Sequence, residues 1–116
     1  MVIKKHKNIP IPGRNGRPVI TDVFYSEEGM NKPVLIFCHG YKGFKDWGAW
    51  NLMAEDFAQR GFVFVKFNFA FNGGTLEKPI DFPDLDAFGE NTYSKELDDL
   101  DVLLNWMQTE EFPAAE

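Results

Sequence analysis

Cysteine occurs once in this 116-residue chain, at Cys38, so no disulfide can form within it. That fits a reducing compartment. Histidine occurs twice, at His6 and His39, and serine twice, at Ser26 and Ser94. That leaves few groups for acid–base or nucleophilic work. The lysines near the start have no apolar stretch behind them, so no signal peptide is expected. The longest apolar runs, 34–38 and 62–65, are far too short to span a bilayer. Positive charge is also scarce. The net charge is −6, and the few basic residues near the start (Lys4, Lys5, Lys7, Arg14, Arg17) form no broad stripe, so a nucleic-acid partner is not expected. A soluble, cytoplasmic protein that does not engage a membrane is the expectation.

What the chain does have is apolar and aromatic mass. Hydrophobic residues make up 44% and aromatics 16%, with twelve phenylalanines. This suits one domain with a Phe-rich core and is too short for two. Residues 2–9 have strand character and end at Pro10-Ile11-Pro12. Asn15-Gly16 is a strong hairpin dipeptide, and 19–25 is rich in strand formers. Residues 1–25 therefore read as an antiparallel hairpin, with Lys4, Lys5 and Lys7 on a solvated strand face.

Pro33–Cys38 is a continuous apolar run, the pattern of a strand buried on both faces of a parallel sheet. Asp46 is placed to cap a helix in which Trp50, Met53, Ala54, Phe57 and Ala58 form one apolar stripe, closed by Arg60-Gly61. A second buried strand, 62–69, turns to alternation at its end, so 33–69 reads as a strand–helix–strand core. Residues 70–90 form a long loop. Residues 91–108 form a second amphipathic helix, with Tyr93, Leu97, Leu100, Leu103, Leu104 and Met107 on its apolar stripe and acids on its polar face. Residues 110–116 read as a polar tail. The fold class is α/β: an antiparallel hairpin, then parallel strand–helix–strand–helix, in three αβα layers.

The chemically informative block is Pro33–Trp47, in which the apolar strand runs directly into His39-Gly40-Tyr41 and then a short Gly-containing loop. Glycine at 40 permits a sharp turn, and the N–H groups after it face the crevice at the strand's carboxyl end, where open α/β sheets bind ligands. A fixed backbone N–H there is what acyl transfer needs for a tetrahedral oxyanion. This block resembles the α/β-hydrolase family, in particular its dienelactone-hydrolase-like and esterase-like members. The likeness extends to the 62–69 strand with Asn68, the Asn72-Gly73-Gly74-Thr75 loop and the 93–107 helix.

The resemblance implies that the chain is the N-terminal part of an α/β-hydrolase domain, 1–116 forming one partial domain. It implies that the Tyr41 backbone N–H donates to an oxyanion hole, with His39 and Gly40 shaping the loop. The substrate would be a small molecule with an ester or similar acyl bond. No Gly-x-Ser-x-Gly elbow and no triad histidine is present, so the chain alone is expected to be inactive. The alternative is a non-catalytic α/β scaffold that self-associates or binds a partner. By the same resemblance the 33–38 strand is a sheet edge in this chain, and self-association is expected there.

Other readings are weaker. The 43–48 segment has P-loop spacing, but Ala49-Trp50 stands where Lys and Ser/Thr are needed. Cys38 reads as an inert core thiol. Asp81, Asp84 and Asp86 match no complete calcium loop, and a solvated loop is preferred. No cofactor and no metal are implied.

Overall fold

A computed structural model describes residues 3–14, 16–27, 32–39, 44–46, 49–70, 92–109 and 112–113. Four strands form one sheet: β1 (Ile3–Ile11), β2 (Val19–Ser26), β3 (Val34–Cys38) and β4 (Val63–Asn68), in the order β1-β2-β4-β3. β1 pairs antiparallel with β2, β2 antiparallel with β4, and β3 parallel with β4. Two helices complete the described elements, α1 (Trp50–Gln59) between β3 and β4, and α2 (Tyr93–Trp106) after β4.

Strand alternation sorts the core into two layers. Phe24 and Phe64 face α1, where they meet Ala54, Ala58, Met53 and Phe57, joined by Leu35 and Phe37 of β3. Val19, Val23, Val65 and Phe67 face the other way and meet Leu103 and Trp106 of α2. Helices therefore cover both faces, giving the three-layer α/β arrangement. Each fully buried Phe or Leu contributes about 1.5–3 kcal/mol, so the apolar stripes are sufficient cause for this layering.

The hairpin forms where expected, although β1 continues through Pro10 to Ile11. β1 is an edge strand, so the missing Pro10 N–H breaks no ladder bond that the strand needs. The register shifts between His6 and Ile9, where Asn8 takes a left-handed φ of 58°. Asparagine tolerates that conformation, and the shift aims both its backbone and its side chain at groups of the loop after β3 and of β2. At Gly13 a Cβ would lie 2.3 Å from the Arg17 carbonyl oxygen, so the hairpin connection closes only over a glycine.

Several expectations need correction. Asp46 does not cap α1: the N-cap is Ala49, with no side-chain hydrogen bond, because the Asp46 carboxylate is engaged by two lysines. β3 is not buried on both faces. It is an edge strand, so Val34 and Cys38 are exposed, and Cys38 is no core thiol. β4 shows no alternation, since Lys66 and Asn68 are as buried as the phenylalanines around them. In α2 the inward face runs through Asp99, Leu103 and Trp106, a spacing of four and three. This turns Leu97 and Leu104 to the exposed side, 67% and 42% accessible, and buries an acid expected on the polar face. Near the end, Phe112 is buried against Trp106 (ring centroids 5.2 Å apart), so that segment is not simply polar. Gly61, with φ 94°, follows α1 as read from the sequence.

Candidate functional site

β3 and β4 run parallel, so their carboxyl ends open on the same edge of the sheet. His39 leaves the end of β3, and Phe69 and Ala70 leave the end of β4. The register pairs Cys38 with Phe67, which sets His39 beside the last residues of β4. The Phe69 N–H donates to His39 Nε2 at 3.1 Å, and the two rings meet edge to face with centroids 5.0 Å apart. His39 Nε2 thus serves as the acceptor for a backbone N–H at the exit of β4. Gly40 and Tyr41, and with them the Asn72–Thr75 loop and Asp81, Asp84 and Asp86, lie outside the described residues.

The next residues of β4's exit are held just as directly. The Ala70 N–H donates to Asp99 Oδ2 at 2.8 Å, and Arg17 Nε donates to the Ala70 carbonyl at 2.9 Å. Asp99 is fully buried, and its Oδ1 has no hydrogen-bond partner among the described residues. Burial raises its carboxyl to about 6, opposed by the Ala70 bond and aided by the charges of Asp98 and Glu96.

Beneath this edge, on the α1 face, lies a group that the sequence reading missed: Asp22, Lys45, Asp46 and Lys66. Asp22 of β2 and Lys66 of β4 are cross-strand partners. Lys66 Nζ reaches Asp22 Oδ2 at 2.6 Å and Asp46 Oδ1 at 3.3 Å. Lys45 Nζ reaches Asp22 Oδ1 at 2.9 Å, Asp46 Oδ2 at 2.7 Å and Asn8 Oδ1 at 2.7 Å. The Asn8 N–H completes the Asp22 shell at 2.8 Å. Both lysines and Asp22 are fully buried, and Asp46 nearly so.

Two cations and two carboxylates balance, with Lys7 approaching Asp46 from the surface at 3.5 Å. Burial pushes the Asp46 carboxyl up, but the hydrogen bond and charge of Lys45, with Lys66 and Lys7, overcome it and hold it at about 2. Burial draws the Lys66 ammonium down from its ordinary range, against the pull of Asp22. The remaining N-terminal lysines stay at the surface in ion pairs, Lys4 with Glu27 at 3.1 Å and Lys5 with Glu55 of α1. The signal for the buried group was present as single charged residues inside otherwise apolar strands, Asp22 in Val-Ile-Thr-Asp-Val-Phe and Lys66 in Phe-Val-Phe-Val-Lys-Phe.

The other reactive side chains are not brought together. Ser26 is buried in β2 and Ser94 is exposed in the first turn of α2, neither on a strand-to-helix turn. His6 lies in β1, stacked on Tyr25 with centroids 5.9 Å apart. Close packing by its neighbours, together with Glu96, pushes the Cys38 thiol up and keeps it protonated at neutral pH. Among the described residues no group of three or more His, Cys, Asp or Glu could hold a metal ion, and no helix is long and apolar enough to cross a membrane.

No protein-family model matches the chain, and no curated protein matches it. Solved structures do. A hypothetical protein from Pseudomonas aeruginosa superposes with a TM-score of 0.65 at 16% identity, over 96% of this chain and 32% of that one. A protein described as a dienelactone hydrolase from Klebsiella pneumoniae gives 0.60 at 18% identity, over 91% of this chain and 44% of its own. Brefeldin A esterase, a bacterial homologue of human hormone-sensitive lipase, gives 0.60 at 20% identity, over 90% and 27%. The chain thus spans less than half the length of each of these three proteins. At these identities the likeness is one of architecture: the chain has an α/β fold that superposes on part of each of these proteins.

Proposed function

We propose that this chain supplies the oxyanion-hole portion of a serine hydrolase that acts on an ester or similar acyl bond. The Tyr41 backbone N–H is the donor, and His39 and Gly40 shape the turn that presents it. The observation that carries this reading is the seating of His39: its imidazole accepts the Phe69 N–H and so fixes the start of the turn at the crevice between two parallel strands. A donor held rigidly before the reaction stabilises developing negative charge without reorganisation. The nucleophile and base come from residues outside these 116, since Ser26, Ser94 and His6 are not brought to the crevice.

The test has two arms. The 116-residue chain should turn over p-nitrophenyl acetate no faster than background, and labelling of Ser26 or Ser94 by a serine-reactive phosphonate would overturn the assignment. The coding sequence beyond Glu116 should specify an apolar strand followed by Gly-x-Ser-x-Gly. In the extended protein, Tyr41→Pro, which deletes the N–H, should lower kcat by about 10²–10³-fold. An extended protein without that elbow, or a Tyr41→Pro variant with undiminished kcat, would remove the reading.

A second reading, a non-catalytic scaffold that self-associates, is favoured by one feature. Among the described residues β3 pairs with β4 alone, and its Val34 is 42% exposed. Unpaired apolar edges recruit other strands. Sedimentation of the chain at micromolar concentration should show dimers or larger species, and Val34→Lys should shift them to monomer. A monomer at all concentrations excludes this reading.

A further inference from the structure

His39 and Lys45 are both tied to adjacent residues at the end of β4, its last residue Asn68 and the following Phe69. His39 Nε2 accepts the Phe69 N–H at 3.1 Å, and the Lys45 N–H donates to Asn68 Oδ1 at 2.7 Å. The second tie is buried, and the Lys45 side chain continues inward to Asp22, Asp46 and Asn8. We infer that Lys45 and Asn68 are positioning residues, and that the ionic group of Asp22, Lys45, Asp46 and Lys66 serves to pin the backbone at Lys45 to the end of β4. The consequence for catalysis rests on the proposed oxyanion role of Tyr41, while the pinning itself does not.

The physical case has three parts. First, Lys45 is tied through its backbone to Asn68 and through its side chain to Asp22, Asp46 and Asn8, so the ordering cost of its position has been met by folding. Second, the ion pairs are a poor device for stability alone. Buried charges lose hydration that their mutual attraction barely repays, and apolar residues of similar volume do as well or better. What the charges add is direction. Lys45 Nζ meets three acceptors at once, on Asp22, Asp46 and Asn8, which narrows the positions its backbone can take. Third, the group is asymmetric with respect to the turn. Lys66 and Asp22 belong to the sheet, whereas Lys45 and Asp46 belong to the chain leaving the turn, so the pairs between them cross from scaffold to loop.

Two charge-balanced double variants separate pinning from stability. Lys45→Met/Asp22→Asn leaves Lys66 with Asp46 and cuts the Lys45 tie. Lys66→Met/Asp22→Asn leaves Lys45 with Asp46, and the amide oxygen that Asp22→Asn introduces remains an acceptor for Lys45. Amide hydrogen exchange on the ¹⁵N-labelled chain reads the result. The first double should speed exchange across 44–46 by about tenfold or more, while Val23 and Val65 in the core change less than about threefold. The second should leave both regions within about threefold. Asn68→Ala, which removes the acceptor but no charge, should reproduce the first.

Equal loosening by both doubles, no loosening by the first, or a parallel rise at Val23 and Val65 would each overturn the inference. These readouts need no turnover, so an extended protein without esterase activity would defeat the acyl reading and leave the pinning result standing.

Discussion

Asp22→Ala is expected to lower the unfolding free energy by about 3–5 kcal/mol, because it strands two buried ammonium groups with one carboxylate between them. Asp22 is the only member of the group that both lysines share without being exposed at all, and it also accepts the Asn8 N–H that holds the β1 irregularity. The effect should belong to charge imbalance and not to lost volume. Asp22→Ala/Lys66→Met, which restores one cation to one anion, should therefore recover most of the loss. Urea unfolding reads this as a fall in midpoint for the single variant and a return towards wild type for the double, at constant slope. A single variant within about 1 kcal/mol of wild type would mean that water reaches the group freely, and a double no better than the single would mean that packing governs the loss.

The second large effect concerns pH. The Asp99 carboxyl is raised to about 6 from an ordinary 3.8, so between those values the folded chain holds a proton that the unfolded chain has released. Stability therefore falls as pH rises from about 4 to about 6 and is level above, by up to about 2–3 kcal/mol at about 1.36 kcal/mol per pH unit. Asp46 acts with the opposite sign. Its carboxyl is held at about 2, so its contribution is present above about pH 4 and is lost as pH falls towards 2.

The two together place a maximum near pH 4 in the part of the stability curve they control. Asp99→Asn keeps an acceptor for the Ala70 N–H and carries no charge. It should remove the decline between pH 4 and 6, leaving the variant more stable than wild type by about 1–3 kcal/mol at pH 7. Thermal unfolding at pH 4, 5, 6 and 7 tests this. A variant less stable than wild type at pH 7 would show that the charged form of Asp99 is the one the fold uses.

How legible the chain was depends on the range of the interaction. The hairpin rested on Asn15-Gly16 and the strand formers beside it, and it is there. The α1 stripe and its Gly61 exit followed from helical periodicity. Errors arose where neighbours far along the chain decide the outcome. Pro33–Cys38 is apolar enough for burial on both faces, but the edge position that the resemblance implied leaves Val34 and Cys38 exposed. Asp46 sits where a cap is wanted, yet Lys45 and Lys66 hold it more strongly than an N–H at a helix start would. Lys66 looked like the first polar position of an alternating strand, and nothing local reveals that Asp22, 44 residues earlier, lies opposite it. In the candidate site, His39 drew notice because an apolar strand leads straight into it, and the structure places it beside the end of β4. Asn68 and Lys45 took on meaning only once β4 was seen beside the end of β3.

The edge position of Cys38 has a practical side. It is the chain's only sulfhydryl, and it stands at the last residue of β3, one of the two edge strands of the described sheet. A spin label or fluorophore placed there would sit within reach of whatever completes the sheet, be it a second copy or a longer stretch of the same polypeptide. Because the thiol is held protonated, attachment calls for mildly alkaline solution. Cys38 thus offers a built-in reporter of how the sheet is extended at β3.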